Sequence, residues 1–172
     1  MLRLLGILLL SAGCMGIGWS WKERLKKGLE ESYEVWQILK MFQSEIIYSH
    51  APMPEACLRI AGRVPEPYRE AFFEVYKEML ANHGITFAEV WKRQMEGCTG
   101  KLVMPAEEKK RFLEFGSCAG FMDGQVQAQM LEQHIRRLEL SIDRQEKEMV
   151  NKSRVIMSLS VMGGFMIAVL LI

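Results

Sequence analysis

Charge is missing from both ends of this chain. Between Leu4 and Trp21 the only ionisable side chain is Cys14, and from Val155 to Ile172 there is none. Each run is 18 residues long, just inside the ~17–25 residues with which a helix crosses a bilayer. A soluble protein rarely carries two such runs at opposite termini, so the pattern predicts a polar body held in a lipid bilayer at both ends. Other absences exclude function classes. The stretch Lys22–Lys152 has 20 basic against 21 acidic side chains, a net charge of −1, and the pI is near 7.7, which argues against a nucleic-acid partner. The four cysteines, Cys14, Cys57, Cys98 and Cys118, form no Cys-x-x-Cys and no dense disulfide framework. His50, His83 and His134 lack metal-ligand spacing, and the Gly97–Gly100 pair lacks the surroundings of a phosphate loop. No catalytic, cofactor-binding or metal-binding set is expected, and the chain does not read as an enzyme.

What charge there is sits where it sets topology. Five Lys/Arg follow the first uncharged run (Lys22, Arg24, Lys26, Lys27 and Lys40) and six precede the second (Arg136, Arg137, Arg144, Lys147, Lys152 and Arg154), with only Arg3 on the far sides. Because Lys/Arg near a span stay inside, the reading is an N-terminal transmembrane helix at 1–21, a cytoplasmic body at 22–153 and a C-terminal transmembrane helix at 154–172. Trp19 and Trp21 stand where an aromatic belt belongs. A rival reading starts from Leu10-Ser11-Ala12-Gly13-Cys14, which resembles a lipobox, and would make the chain a lipoprotein or membrane adaptor with an outward-facing helical domain. Against it, the apolar run continues past Cys14 and the charge flanks point inward.

The body reads as helix throughout, with no alternating β-branched run, so the expected fold is an all-α bundle of about six helices flanked by the two spans. Leu25, Leu29, Tyr33, Trp36, Leu39, Phe42 and Ile46 recur every three or four residues, predicting a first helix that continues from the membrane until Ala51-Pro52 ends it near Tyr48 or His50. A short helix from Pro54, carrying Cys57, Leu58 and Ala61, ends near Gly62. Another opens at Pro65 or Pro67 and stops at Gly84. Thr86-Phe-Ala-Glu89 is a capping box for a helix to about Gly97, and Gly97–Met104 is expected to be a loop that exposes Cys98. Pro105 opens a fifth helix, broken around Met122-Asp123-Gly124. A sixth has no Pro or Gly from Gln125 to Met162 and is expected to run into the second span.

Three features stand out within this pattern. Glu45 lies beside an apolar helix end with Tyr48 and Pro52, which fits either a polar flank or a buried carboxylate that bonds a neighbouring helix. Gly116 and Gly120, about one turn apart, predict a close helix crossing, since interior glycine costs a helix about 1 kcal/mol against alanine; Asp123 is placed to cap the last helix, with Gln127 in its first turn. In the spans, Ala12, Gly16 and Ser20, and Ser160, Gly164 and Ala168, form small-residue faces that permit helix pairing within or between chains, so a homo-oligomer is among the arrangements allowed.

At these positions the chain resembles the stage III sporulation protein AB family over essentially its whole length. The start Met-Leu-Arg-Leu-Leu-Gly6, Glu45-Ile-x-Tyr48 followed by Pro52, and Phe115-Gly116 with Gly120, Asp123 and Gln127 are similar to that family's pattern; Ala51, Met53 and Ala119 depart from it. The resemblance implies a protein of the mother-cell membrane around the forespore, in a secretion-like channel assembly of endospore-forming bacteria. It also implies a body similar to type II secretion inner-membrane platform proteins, whose partners would be a cytoplasmic secretion-type ATPase and other membrane subunits of the assembly. The expected contact surface for such partners is the charged face of the last helix, including Arg136 and Arg144.

Overall fold

The computed structural model describes residues 2–49, 51–81, 84–119 and 124–171; side chains are described from 18 to 152 within those stretches, except 118 and 124–127, and at a few positions beyond. Six α-helices and one π-helical turn make up nearly all of it, with no strand among the described residues. Helix α1 (Leu2–Ser44) has 43 residues, about 65 Å at 1.5 Å per residue. It widens into a π turn at Glu45–Ser49, and the Ala51 amide still reaches the Glu45 carbonyl at 3.4 Å before Pro52 stops the run. Three short helices follow: α2 (Met53–Ala61), α3 (Tyr68–Ala81) and α4 (Phe87–Gly100). Helix α5 (Ala106–Ala119) leads to α6 (Gly124–Leu171), whose 48 residues extend about 70 Å.

The two long helices are each other's main partners, and α2 to α5 pack in sequence as neighbouring pairs closed by α6. Their shared core is aromatic. Trp91 is fully buried, with ring centroids of Phe42, Phe72, Phe87, Phe112 and Phe115 all 5.1–5.6 Å away, and its indole N–H donates to the Phe112 carbonyl at 3.0 Å. That bond satisfies the one polar atom that would otherwise oppose burial of the ring. Ile135, Leu138 and Ile142 bring α6 onto the core, as their spacing predicts.

Four readings of the sequence need correction. Tyr33 is exposed, whereas Val35 and Ile38 are buried: α1 packs against several elements, so its buried face is wider than one stripe. Leu58 is also on the exposed side, at 38%, and Cys57 and Ile60 carry the inner face of α2. The expected loop at Gly97–Met104 begins only after Gly100, because Thr99 bonds back to the Met95 carbonyl at 2.8 Å and keeps the last turn helical. Cys98 is consequently buried in α4 rather than displayed, and burial pushes its thiol up to about 12.

Among the described residues no helix is long and apolar enough to cross a membrane. The uncharged ends, with Cys14 and with Ala12, Ser160, Gly164 and Ala168 of the small-residue faces, lie largely outside the residues whose side chains are described.

Candidate interaction site

Glu45 is the first of the singled-out residues that the fold explains. The π turn directs its carboxylate inward, where the residue is 6% exposed, and Arg59 of α2 donates to it at 3.0 Å. A buried carboxylate without a donor is costly, so this pair fixes the α1–α2 corner. Pro52 stands at the N-terminal boundary of α2, its carbonyl accepting from Ala56 N–H at 3.0 Å. Tyr48 separates from this network: it is 81% exposed, and Ile47 beside it is exposed too.

Gly116 sits where α5 crosses Trp91. A Cβ added there would meet the Trp91 side chain, 2.8 Å from its Cβ and nearer to the ring, so only glycine admits the indole. Gly120 and Asp123 lie outside the described residues, as does the side chain of Gln127, and the histidines His50 and His83 likewise. Arg136 is exposed and pairs with Glu132 on its own helix at 3.2 Å, while Arg144 lines a groove between α1, α5 and α6. The singled-out residues therefore do not converge on one site.

Sequence reasoning missed two buried acids and a half-buried one. Glu31 on α1 is 6% exposed and accepts from the backbone N–H of Val103 (2.5 Å) and Met104 (2.8 Å). This clamps the α4–α5 loop against α1, where it passes beside Gly28. Glu108 is 1% exposed; Ser141 of α6 donates to its Oε1, and its Oε2 has no partner, nor does Gln145 Nε2 nearby along α6. Half-buried Glu34, about one turn after Glu31 on α1, is held above the usual carboxylate range, first by burial and then by Glu31 and Glu30. The spacing of Glu30, Glu31 and Glu34 on one helix was the available signal, but their partners lie far along the chain.

Among the described residues no three acidic, His or Cys side chains converge to hold a metal ion. The family model of stage III sporulation protein AB matches residues 3–172. The chain belongs to this family. A stage III sporulation protein AB of Bacillus subtilis (strain 168) is 23% identical over 174 aligned positions, covering 99% of each chain. A solved structure of stage III sporulation protein AB shares the fold at a TM-score of 0.65 and 18% identity, over 72% of this chain and 97% of that one. The helical bundle is thus the fold of stage III sporulation protein AB, and the resemblance noted in the sequence holds across the family match.

Proposed function

We propose that the chain is a non-enzymatic platform in the mother-cell membrane around the forespore. Its terminal helices span that membrane, and its bundle, in the cytoplasm, docks a secretion-type ATPase and other membrane subunits of a secretion-like channel needed for endospore formation. The observation that carries this reading is the pair of long helices that continue past the bundle with greasy side chains in the open. Trp19 and Trp21 are 70% and 62% exposed on α1, and Leu159, Met162 and Met166 are 65–71% exposed on α6. Large apolar groups exposed in series are disfavoured in water and mark a membrane or an interface. The uncharged runs and the Lys/Arg flanks favour the membrane.

Topology is the test, and buried Cys98 is the wrong reporter for it. In non-sporulating cells made to express the chain, whose surface membrane the reagent meets from outside, a cysteine introduced at exposed Glu139 resists a membrane-impermeant maleimide and reacts once the cells are opened, with the parent chain as background. Labelling in intact cells would instead establish the outward-facing adaptor or lipoprotein. The docking role is checked by retention of the ATPase on the folded chain: Arg136→Glu with Arg144→Glu weakens it in a salt-sensitive way.

A further inference from the structure

A groove of about 380 Å³ runs between the two long helices and the start of α5. Glu108 and Gln145 both line it, and each has a buried polar atom without a hydrogen-bond partner, Oε2 of Glu108 and Nε2 of Gln145. Their other polar atoms are engaged. Ser141 donates to Glu108 Oε1, with Arg111 3.7 Å from the same oxygen, and Ser32 donates to Gln145 Oε1 at 3.5 Å. Glu108 is 1% exposed, and buried polar groups in native proteins nearly always have a partner. The two open atoms are of opposite kind, one an acceptor and the other a donor. Ser141 and Gln145 stand one turn apart on α6, so the two atoms come at neighbouring levels of the groove.

The rim is independent of that pair and shows the same incompleteness. Lys152 is paired with Glu148 at 2.7 Å and Glu107 with Arg111 at 3.5 Å. Arg24 and Arg144, also in the lining, are exposed and make no ion pair among the described residues; Arg144 acts on Glu148 only from beyond pairing distance. The groove therefore asks for a neutral group that both donates and accepts, next to negative charge. A phosphate only accepts and an ammonium only donates, whereas an amide or a hydroxyl does both.

Length and height decide between the remaining candidates. From Lys152 to Ser141 the groove follows 11 residues of α6, about 16 Å, or about five residues of extended chain. A glycerol phospholipid carries hydroxyls and a phosphate, but Gln145 lies 10 residues before Val155, about 15 Å from the uncharged run. The headgroup layer is only about 5–8 Å thick on each side, so a lipid in the bilayer does not reach it. We propose that the groove receives an extended acidic segment of a partner protein, one backbone amide meeting Glu108 and Gln145 and its carboxylates meeting Arg24 and Arg144. This deepens the platform reading by naming the chemistry of a partner's segment, and rests on it for the height of the groove above the bilayer.

The test uses the full-length chain in neutral maltoside micelles and a short rhodamine-labelled peptide of alternating glutamate and alanine, read by anisotropy. The peptide binds, more weakly at high salt, and its glutamine counterpart binds about tenfold less tightly. Arg24→Gln with Arg144→Gln lowers affinity about tenfold. Arg63→Gln with Arg69→Gln, the same charge change at two exposed positions away from the groove, leaves it unchanged. Gln145→Leu alters no charge and lowers it about fivefold; Ser32 keeps its bond to the Gly28 carbonyl at 3.0 Å in that variant, and Gln145→Met replaces it if it melts early. Absence of binding, equal binding of the glutamine peptide, equal loss from the two arginine pairs, or parent-like binding by the Gln145 variants overturns the proposal. So does stronger displacement by phosphatidylglycerol than by phosphatidylserine mixed into the micelles, because the occupant is then a lipid headgroup. A change in the mass of the chain's own oligomer in Gln145→Leu, with no competition by peptide, makes the occupant a second copy and overturns it too. Binding in micelles depends neither on orientation in the membrane nor on the ATPase, so this result and those of the platform reading fail separately.

Discussion

The crossing of α5 over Trp91 and the docking of the α4–α5 loop on α1 hold the same bundle by opposite means. At the crossing the packing is of aromatic rings, and the one indole N–H among them is bonded. At the loop, the fastening is a carboxylate bonded to two amides, with Glu108 and Gln145 close by on neighbouring elements, each keeping an atom without a partner. The first arrangement stabilises by area removed from water, about 25 cal/mol per Å², and tolerates no change of shape. The second stabilises little net per bond, about 1 kcal/mol, but leaves costly orphans when one partner goes. Burial sets the strength of this fold; buried acids set where its connections lie.

Removing the indole tests the first half. Trp91→Ala costs about 3–5 kcal/mol and in thermal melting leaves little cooperative transition; melting close to the parent would show that the five surrounding rings hold the core without it. Next comes the loop clamp. Glu31→Ala strands one buried and one half-buried amide and costs about 2–3 kcal/mol, and hydrogen exchange at Val103 and Met104 accelerates well beyond that at Trp91. Uniform acceleration would mean that the loop and the core are one cooperative unit. Gly116→Leu adds a side chain where the indole already lies and costs about 1–3 kcal/mol, offset in part by better helix propensity. Unchanged melting would place the glycine away from the ring.

The smallest effect is in pH. The Glu34 carboxyl is raised above its ordinary 4.5, so its charged form is the disfavoured one in the fold. Acidifying from neutral through its folded value therefore adds stability, and Glu34→Gln abolishes that gain. His134 works against it: burial first, then Arg137, lowers its value below 6.5, so stability present above 6.5 declines as pH falls and the imidazole must charge. Comparing parent and Glu34→Gln melting across this window cancels the histidine contribution. Parallel curves would show that Glu34 titrates normally.

Much of the fold could be read in the residues because its signals are local. The capping box is formed as Thr86 and Glu89 predict, the Pro- and Gly-free stretch became one helix, and Gly116 marks a close crossing. The buried alternative for Glu45 was open, and the π turn realises it with Arg59. Signals that need the assembled bundle were illegible. Glu31 meets its amides 72 and 73 residues away, and Glu108 meets Ser141 across 33, so both look like ordinary surface acids in a charged helix. Gly97 and Gly100 suggested a loop because a breaker's effect depends on packing: Cys98 and Thr99, buried between them, hold the helix together.

The four tryptophans make the molecule its own optical map. Trp91 is enclosed by hydrocarbon with its N–H bonded to a carbonyl, Trp36 is half covered with Lys40 over its ring at 5.7 Å, and Trp19 and Trp21 stand in the open on α1. Emission at the blue edge therefore follows the state of the bundle, while the red edge follows the surroundings of the first helix. One spectrum, taken in water and then in lipid, separates a bundle that has loosened from an anchor that has changed its solvent.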